Sequence, residues 1–505
     1  MAMGKGGDES DNTGGGLGLW SVISVIVGIV VGVSIFKVPG TIFAFSSDPW
    51  TGLLVWAFGG LLALVGAFCY AELATTYPRA GGDYVYLTRA FGPWCGFLFG
   101  WAQLTVILPA SIGLMAIVFA DAAAATVELP DSGTGLSSEF IYAVAAVVVL
   151  TVLNILGVTL GKIAQNILTI VKVLGLVGIV VVGFLYAESL PFEWRFGEPG
   201  TYVGGGAPGE WGWGALATIL VLYAYGGWND AAFVAAEVRN PRWNIPWALL
   251  LGVGLITLLY LLINVAYVAG LGFEGVRAGD VPVRLLEKAF GDFGATAMRI
   301  IIMISGLGAA NALIFAGARV YATLGNDHPL FGWLGFWRPG HGAPILALLA
   351  QAIITIAMIV AVATPTGHQG IDDAIAWLNQ ALTRIGLQEQ LAIQSNQGDQ
   401  IWNADKAFNA LVTYTAPVFW VFFLSTGFAV FALRTRDANR ERPFRVPLYP
   451  LIPFIFCNMC LYMLYQSVKY IEYQALFGFA LVLFGLPFYG LSRLIGYHHE
   501  SESDD

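Results

Sequence analysis

Long apolar segments separated by short polar loops make up most of this 505-residue chain. Each segment has about the 20 residues that a helix needs to cross a bilayer. The pattern predicts an all-α integral membrane protein with twelve transmembrane helices. The segments cover residues 17–45, 50–76, 91–125, 139–158, 164–187, 212–236, 246–270, 294–324, 343–363, 409–433, 448–468 and 473–494.

The first segment contains a stretch, Gly28 to Gly40, that is poorly suited to an uninterrupted helix. It includes Gly32, Ser34 and Pro39, and glycine costs roughly 1 kcal/mol and proline about 3 kcal/mol inside a helix. Broken backbone at membrane depth is tolerated where protein or a water-filled cavity satisfies the freed groups. The stretch therefore indicates a break beside a cavity, with a seam of small residues between two helices as the alternative.

A second interrupted stretch lies in the sixth segment, where Tyr223-Ala-Tyr-Gly-Gly-Trp-Asn229-Asp230 places two glycines and two polar residues in an apolar run. Glycine-interrupted segments in corresponding positions indicate an inverted-repeat transporter. We therefore predict a first repeat at 17–187, a second at 212–433 and two extra helices at 448–494. Together they form one transmembrane domain at 17–494.

Two helices broken side by side offer a binding site for a dipolar solute. The N–H groups that begin one half-helix attract an anion, and the carbonyl groups that end the other attract a cation. An α-amino acid carries both charges on one carbon. The pattern predicts a carrier that holds this zwitterionic head without a charged side chain.

Loops and tails complete the organisation. Residues 1–16 are predicted to form a disordered tail, and residues 495–505 an acidic tail. Residues 364–408 form a polar insertion, predicted on the outer face, that begins with an amphipathic helix. Fourteen Lys and Arg residues fall on one side of the twelve segments and seven on the other. The richer side is predicted to be cytoplasmic and carries both termini. This implies a multi-pass protein of the cell membrane.

Composition narrows the function classes. The chain is 57% hydrophobic and only 11% charged, against about 25% charged in soluble domains, so its net charge of −9 gives no reason to expect nucleic acid as a partner. No cofactor or metal ligand spacing is present, and the five histidines lie in loops or the tail. A membrane enzyme is thus disfavoured, while a channel or sensor on the same scaffold stays open.

Several motifs resemble the amino acid–polyamine–organocation superfamily, most closely its L-type amino acid transporter branch. Residues 30–39, Val-Val-Gly-Val-Ser-Ile-Phe-Lys-Val-Pro, resemble the family's first-helix motif. Residues 77–84, Tyr-Pro-Arg-Ala-Gly-Gly-Asp-Tyr, resemble its loop signature. Residues 223–229 and 441–447 resemble the sixth helix and the connector before the eleventh. The resemblance implies twelve helices, a five-plus-five inverted repeat with helices 1 and 6 discontinuous, and alternating access. Polyamines or other organic amines are the alternative substrates.

The resemblance also implies site residues. The substrate carboxylate is expected at the amides near Gly32, Val33, Ser34 and Ile35, and the α-amino group at carbonyls near Val30, Tyr223 and Gly226. The resemblance further implies that Tyr223 is an aromatic gate over the substrate. Trp228 is a second candidate for gating. Gly227 and Asn229 are candidates for lining the pocket. The family usually has Gly-Ser/Thr-Gly where this chain has Gly32-Val33-Ser34, so a hydroxyl contact at position 33 is absent.

Two lysines lie inside predicted spans. Lys172 follows Gln165-Asn-Ile-Leu-Thr-Ile-Val, which resembles the fifth helix of sodium-independent members, where the ammonium occupies the sodium position. We expect Lys172 to bond the broken part of the first helix and to make transport independent of sodium. Three interpretations of Lys37 stay open: contact with an anionic substrate, a structural counter-ion, and exposure to the outer cavity.

A disulfide-linked partner chain is not expected. In heteromeric members of the family, a cysteine between helices three and four forms that bond, and residues 126–139 contain none. The substrate side chain, proton coupling against exchange, and oligomeric state do not follow from the sequence.

Overall fold

Helices dominate the computed structural model of the chain, which describes residues 18–79, 81–130, 137–156, 158–188, 190, 215–230, 232, 238–336, 344–384, 404–471 and 475–503. The predicted tail at 1–16 and the second half of the insertion, 385–403, lie outside these residues. The last helix continues into the predicted C-terminal tail as far as Ser503.

Seventeen α-helices are present in the described ranges. They are α1 (Leu19–Val30), α2 (Ser34–Ala44), α3 (Pro49–Thr76), α4 (Asp83–Phe91), α5 (Pro93–Ala102), α6 (Leu108–Ala124), α7 (Ser138–Leu156), α8 (Val158–Leu185), α9 (Ala215–Ala224), α10 (Pro241–Arg277), α11 (Val281–Asp327), α12 (Ile345–Ala363), α13 (Pro365–Arg384), α14 (Ala404–Arg436), α15 (Leu451–Ile471), α16 (Ala475–Leu483) and α17 (Gly485–Ser503). A π-helical turn, Gln103–Ile107, joins α5 to α6, and a 3-10 helix, Pro329–Gly335, follows α11.

The all-α membrane architecture is confirmed, but the number of spans differs from the prediction. In the described residues, ten helical runs are long and apolar enough to cross a membrane, and α1 with α2 makes an eleventh if counted as one span. The predicted sixth span, 212–236, is represented there by the ten-residue helix α9. Twelve spans and the inverted repeat therefore stay predictions.

The first span is broken, as the glycine pattern predicts. Helix α1 ends at Val30, helix α2 begins at Ser34, and the two are bent by 53° relative to each other. Both halves are buried among other helices, with α1 packed against α10 and α2 against α9 and α10. The break therefore lies inside the bundle, where protein groups can satisfy its freed backbone atoms.

Helices α3 and α10 pack closely because α3 presents glycines to its neighbours. A Cβ on Gly60 would overlap the side chain of Thr257 of α10, and one on Gly59 would lie 3.0 Å from the ring of Tyr225. Small residues allow membrane helices to approach closely without a hydrophobic driving force between them. The α3–α10 pair therefore forms a tight wall behind the two broken segments.

A charged cluster joins α3 to the segment that follows α14. The Glu72 carboxylate accepts hydrogen bonds from Arg434 Nε at 2.8 Å and from the Val446 amide at 2.7 Å. Nearby, Asp437 accepts from Arg89 and from the Tyr77 hydroxyl, which together hold the pKa of Asp437 below its usual range. Glu72 is thus a structural anchor that fixes one end of the bundle.

Candidate functional site

The break in the first span rearranges its backbone hydrogen bonds. The Val31 amide still bonds Val27 O at 2.9 Å, but the Gly32 amide turns to Val30 O at 2.7 Å. The N–H groups of Val33, Ser34 and Ile35 make no hydrogen bond to any described residue. Three donors at the start of α2 are thus available, at the positive end of that half-helix.

Lys172 supplies a donor that the break removes. In a continuous helix the Gly28 carbonyl would accept from the Gly32 amide, which instead bonds Val30 O. Lys172 Nζ, on the fully buried side chain of α8, donates to Gly28 O at 3.1 Å. The predicted contact between Lys172 and the broken region of the first helix is therefore present.

The second break lies where the adjacent glycines predict it. Helix α9 ends at Ala224, the Gly226 amide bonds Tyr223 O at 2.9 Å, and a 3-10 turn follows at 228–230. Gly227 has φ +95°, and a Cβ there would lie 2.8 Å from Ile29 Cγ2. The positive φ and the short distance to Ile29 both require glycine at position 227. Without a side chain there, the second break can approach the end of α1 closely.

One hydroxyl connects the two breaks. Tyr260 of α10 is fully buried, and its OH lies 2.9 Å from Val30 O and 3.2 Å from Ala224 O. These carbonyls are the last ones of α1 and α9. Since a hydroxyl has one proton to donate, Tyr260 shares it between the two helix ends and holds them beside each other.

A cavity of about 90 Å³ lies at the junction of the breaks. A single water needs roughly 10–15 Å³ of such volume, so the cavity is large enough for several waters or a small solute. Six of the predicted site residues line it: Val30, Gly32, Ser34, Tyr223, Gly226 and Gly227. The structure thus brings these six residues together around one cavity.

Other predicted residues lie behind the cavity wall. Val33 and Ile35 have fully buried side chains that do not line it, and Lys172 reaches Gly28 from outside. Asn229 and Trp228 also lie outside the lining, and Trp228 packs edge-on against Tyr70 at 5.0 Å between ring centroids. The 3-10 turn after Gly227 is the reason, because it directs Asp230 rather than Asn229 to the cavity.

Aromatic side chains close one side of the cavity. Tyr223 lines it and packs edge-on against Phe408, with 6.3 Å between ring centroids. Phe419 and Trp420 of α14 line the wall as well. A mainly apolar wall with a small number of polar groups is typical of a pocket for a small solute.

Helix α11 supports the first break from the far side. Ser305, which is fully buried, donates to Gly32 O at 3.2 Å. One and a half turns later, Asn311 accepts from Asn154 of α7 at 2.8 Å. These bonds give polar partners to buried groups next to the cavity.

Sequence reasoning missed several of these residues. Tyr260 and Ser305 bind the breaks, and Gln103, on the π-helical turn, lines the cavity. The signal for Gln103 was Pro109, which has no N–H and so disrupts the regular ladder of the preceding turn. Tyr260 gave no signal, because a lone tyrosine is common in an apolar helix.

Lys37 is paired with an acidic side chain. Its Nζ lies 2.9 Å from Asp121 Oδ2, and the two side chains are 20% and 40% exposed. Lys37 is absent from the cavity lining. Of the three interpretations of Lys37, the pairing favours a structural counter-ion between α2 and α6.

No group of three His, Cys, Asp or Glu side chains in the described ranges has the geometry of a metal site. The four cysteines, all described, are buried free thiols. The polar groups described at the breaks and the cavity are backbone groups, hydroxyls, amides, the Asp230 carboxylate and the Lys172 ammonium.

Comparison with known proteins agrees with this architecture. The sequence profile described as amino acid permease matches residues 17–485. The chain is 28% identical over 486 residues to the b(0,+)-type amino acid transporter 1 of Mus musculus, covering 94% of this chain and 87% of the relative. It is 26% identical over 485 residues to the serine/threonine exchanger SteT of Bacillus subtilis, with 94% and 97% covered. It is also similar to the large neutral amino acids transporter small subunit 2 of Homo sapiens, at 32% identity over 372 residues, with 70% and 68% covered.

The cavity between two broken helices and a match over nearly the whole sequence lead to one conclusion: the chain belongs to the amino acid permease family, whose relatives are transporters and not enzymes.

Proposed function

We propose that this protein moves amino acids across the membrane by alternating access, binding the zwitterionic head of the substrate at the junction of the two breaks. One observation carries the proposal: two helix interruptions touch each other beside one cavity in the middle of the bundle. Discontinuous helices of this kind form the substrate sites of secondary transporters.

The carboxylate end of the substrate is assigned to the start of α2. The amides of Val33, Ser34 and Ile35 have no partner among the described residues, and Ser34 lines the cavity. Free N–H groups at a helix N-terminus attract anions through both hydrogen bonds and the helix dipole. The Gly32 amide, by contrast, is occupied by Val30 O.

The amino end is assigned to the carbonyls of the second break. Val30 O already accepts from the Gly32 amide and from the Tyr260 hydroxyl. Tyr223 O accepts one bond, from the Gly226 amide. A carbonyl has two lone pairs, so Gly226 and Tyr223 are the better acceptors for an ammonium group. Tyr223 also carries the ring that would close over the substrate.

Exchange in liposomes tests the proposal. With the purified chain and unlabelled leucine inside, we expect radiolabelled leucine to accumulate by counterflow. Isoamylamine lacks the carboxylate and 4-methylpentanoate lacks the amino group, so neither should compete at concentrations where leucine does. Equal competition by isoamylamine would favour an amine permease, and flux without trans-stimulation would favour a channel. No flux of any of the twenty amino acids would overturn the proposal.

We expect counterflow to continue when sodium is replaced by choline. The Lys172 ammonium already donates to Gly28 O, which leaves that carbonyl no need for a sodium ion. The measurement is the initial rate of exchange in sodium chloride and in choline chloride at equal ionic strength. A rate that falls to background in choline would contradict the assignment of Lys172.

Membrane placement is part of the same proposal. The chain is expected in the cell membrane with both termini in the cytoplasm, and without a disulfide-linked partner. Labelling of single cysteines introduced at the two ends by a membrane-impermeant reagent, in intact and in opened cells, tests the orientation.

A further inference from the structure

Asp230 brings a carboxylate to a cavity that has otherwise mainly apolar walls. It lies in the 3-10 turn after the second break, and its amide bonds Gly227 O at 3.1 Å. Asp230 is among the residues that line the cavity, and its Oδ2 lies 3.9 Å from the position that a Cβ on Gly227, another lining residue, would take. The carboxylate is therefore beside the proposed binding site for the substrate head.

No positive charge on the protein balances this carboxylate in the part of the chain that the structure describes. Asp230 is only 9% exposed, and the hydrogen bond to its side chain comes from neutral Asn229, at 3.1 Å. The charged group that acts on it electrostatically is a second carboxylate, Asp83. Asp83 itself is bonded by the hydroxyls of Tyr70 and Thr426, both neutral. A buried carboxylate without a cation is costly, so a ligand that supplies a positive charge would be favoured.

A second acceptor lines the same cavity. Gln103 is 4% exposed, and its Oε1 has no hydrogen-bond partner among the described residues. It lies on the π-helical turn, a distortion that is frequent at functional sites. No Lys, Arg or His of the described ranges lines the cavity. The Asp230 carboxylate and Gln103 Oε1 are thus two acceptors without a cationic partner among the described residues, and such groups suit a donor-rich, positively charged ligand.

We propose that Asp230 binds a positive charge on the substrate side chain, so that the protein prefers amino acids with a cationic side chain over neutral ones. This inference rests on the proposed function, since it assumes that the helix ends hold the carboxylate and the α-amino group. The carbonyls at the second break already serve that amino group, which leaves the Asp230 carboxylate for an ammonium or guanidinium group further along the substrate.

Competition between arginine and citrulline tests the preference in the unmodified protein. Citrulline has the same length and replaces the guanidinium group by an uncharged urea group. We expect arginine to inhibit labelled leucine counterflow at concentrations at least about tenfold lower than citrulline, the ratio that a charge-assisted hydrogen bond implies. Equal inhibition, with leucine counterflow intact, would overturn this inference while leaving the proposed function standing. Absence of counterflow for every amino acid would instead overturn the proposed function.

The Asp230→Asn variant tests the residue. It should abolish the difference between arginine and citrulline, so that the two inhibit labelled leucine counterflow at similar concentrations. Asp292→Asn is the matched control, because Asp292 is exposed and outside the cavity lining, and it should keep the difference. If Asp230→Asn keeps the preference, or stops exchange of both substrates in a variant with an unchanged unfolding temperature, the carboxylate does not select the side chain. A change only in the pH dependence of leucine exchange would also overturn the assignment. Should Asp230→Asn fail to fold, Asp230→Glu replaces it. The longer side chain moves the carboxylate, so the difference between arginine and citrulline should change. An unchanged difference would overturn the assignment of Asp230.

Discussion

Replacing Lys172 by methionine is expected to reduce amino acid exchange by roughly 10- to 100-fold, the range that follows from a lost hydrogen bond to a charged donor. The ammonium donates to Gly28 O, whose helical partner, the Gly32 amide, has turned away to Val30 O. Without Lys172 the end of α1 loses a bond that holds its broken geometry. The initial rate of leucine counterflow measures the effect.

Stability separates this role from a structural one. Lys172→Met relieves the burial of a charge but leaves Gly28 O without its donor, so the unfolding temperature of the variant in detergent should stay close to that of the unmodified protein. Lys469→Met, which removes an exposed lysine near the end of α15, is the control and should exchange normally. A Lys172→Met protein that exchanges at the normal rate would show that the ammonium is not needed.

Replacing Tyr260 by phenylalanine is expected to slow exchange by about tenfold. The hydroxyl lies within hydrogen-bond distance of Val30 O and Ala224 O, the final carbonyls of α1 and α9. Its loss leaves Val30 O with the Gly32 amide alone and removes the side-chain donor from Ala224 O. The two helix ends are then no longer held to each other. The rate should fall more than the apparent affinity changes, because the ring and the cavity stay in place.

Tyr267→Phe provides a control on the same helix. Tyr267 is also fully buried, seven residues along α10, and its hydroxyl has no hydrogen-bond partner among the described residues. Removing an unpaired buried hydroxyl should be close to neutral. An equal loss of exchange in the two variants would mean that the bridge between the breaks has no special role.

The positions of the breaks could be predicted because they depend on local chemistry. Glycine and proline weaken a helix wherever it packs, so residues 28–40 and 223–230 were identifiable as interruptions. Lys172 could be predicted to contact the first break because a charge in an apolar run needs a partner and because its surroundings resemble those of sodium-independent relatives. At these positions the interruptions and the contact that local composition predicts are present in the folded chain.

The contacts that join the breaks could not be predicted, because they connect residues far apart in the sequence. Tyr260 lies 230 residues after Val30, and nothing near it indicates where its hydroxyl points. Asp230 and Asn229 are adjacent, and only the φ of +95° at Gly227 decides which of them reaches the cavity. Asn229 was predicted to line the pocket, and the direction of this turn does not follow from the sequence.

The pair formed by Lys37 and Asp121 has a consequence for how solutes approach. Because the two charges lie 2.9 Å apart, a distant solute meets a dipole whose field falls off faster than that of a single charge. Neither cations nor anions are then drawn in selectively by these two residues. Discrimination by charge then falls to other groups, and this pair should contribute little to the dependence of amino acid association rates on ionic strength.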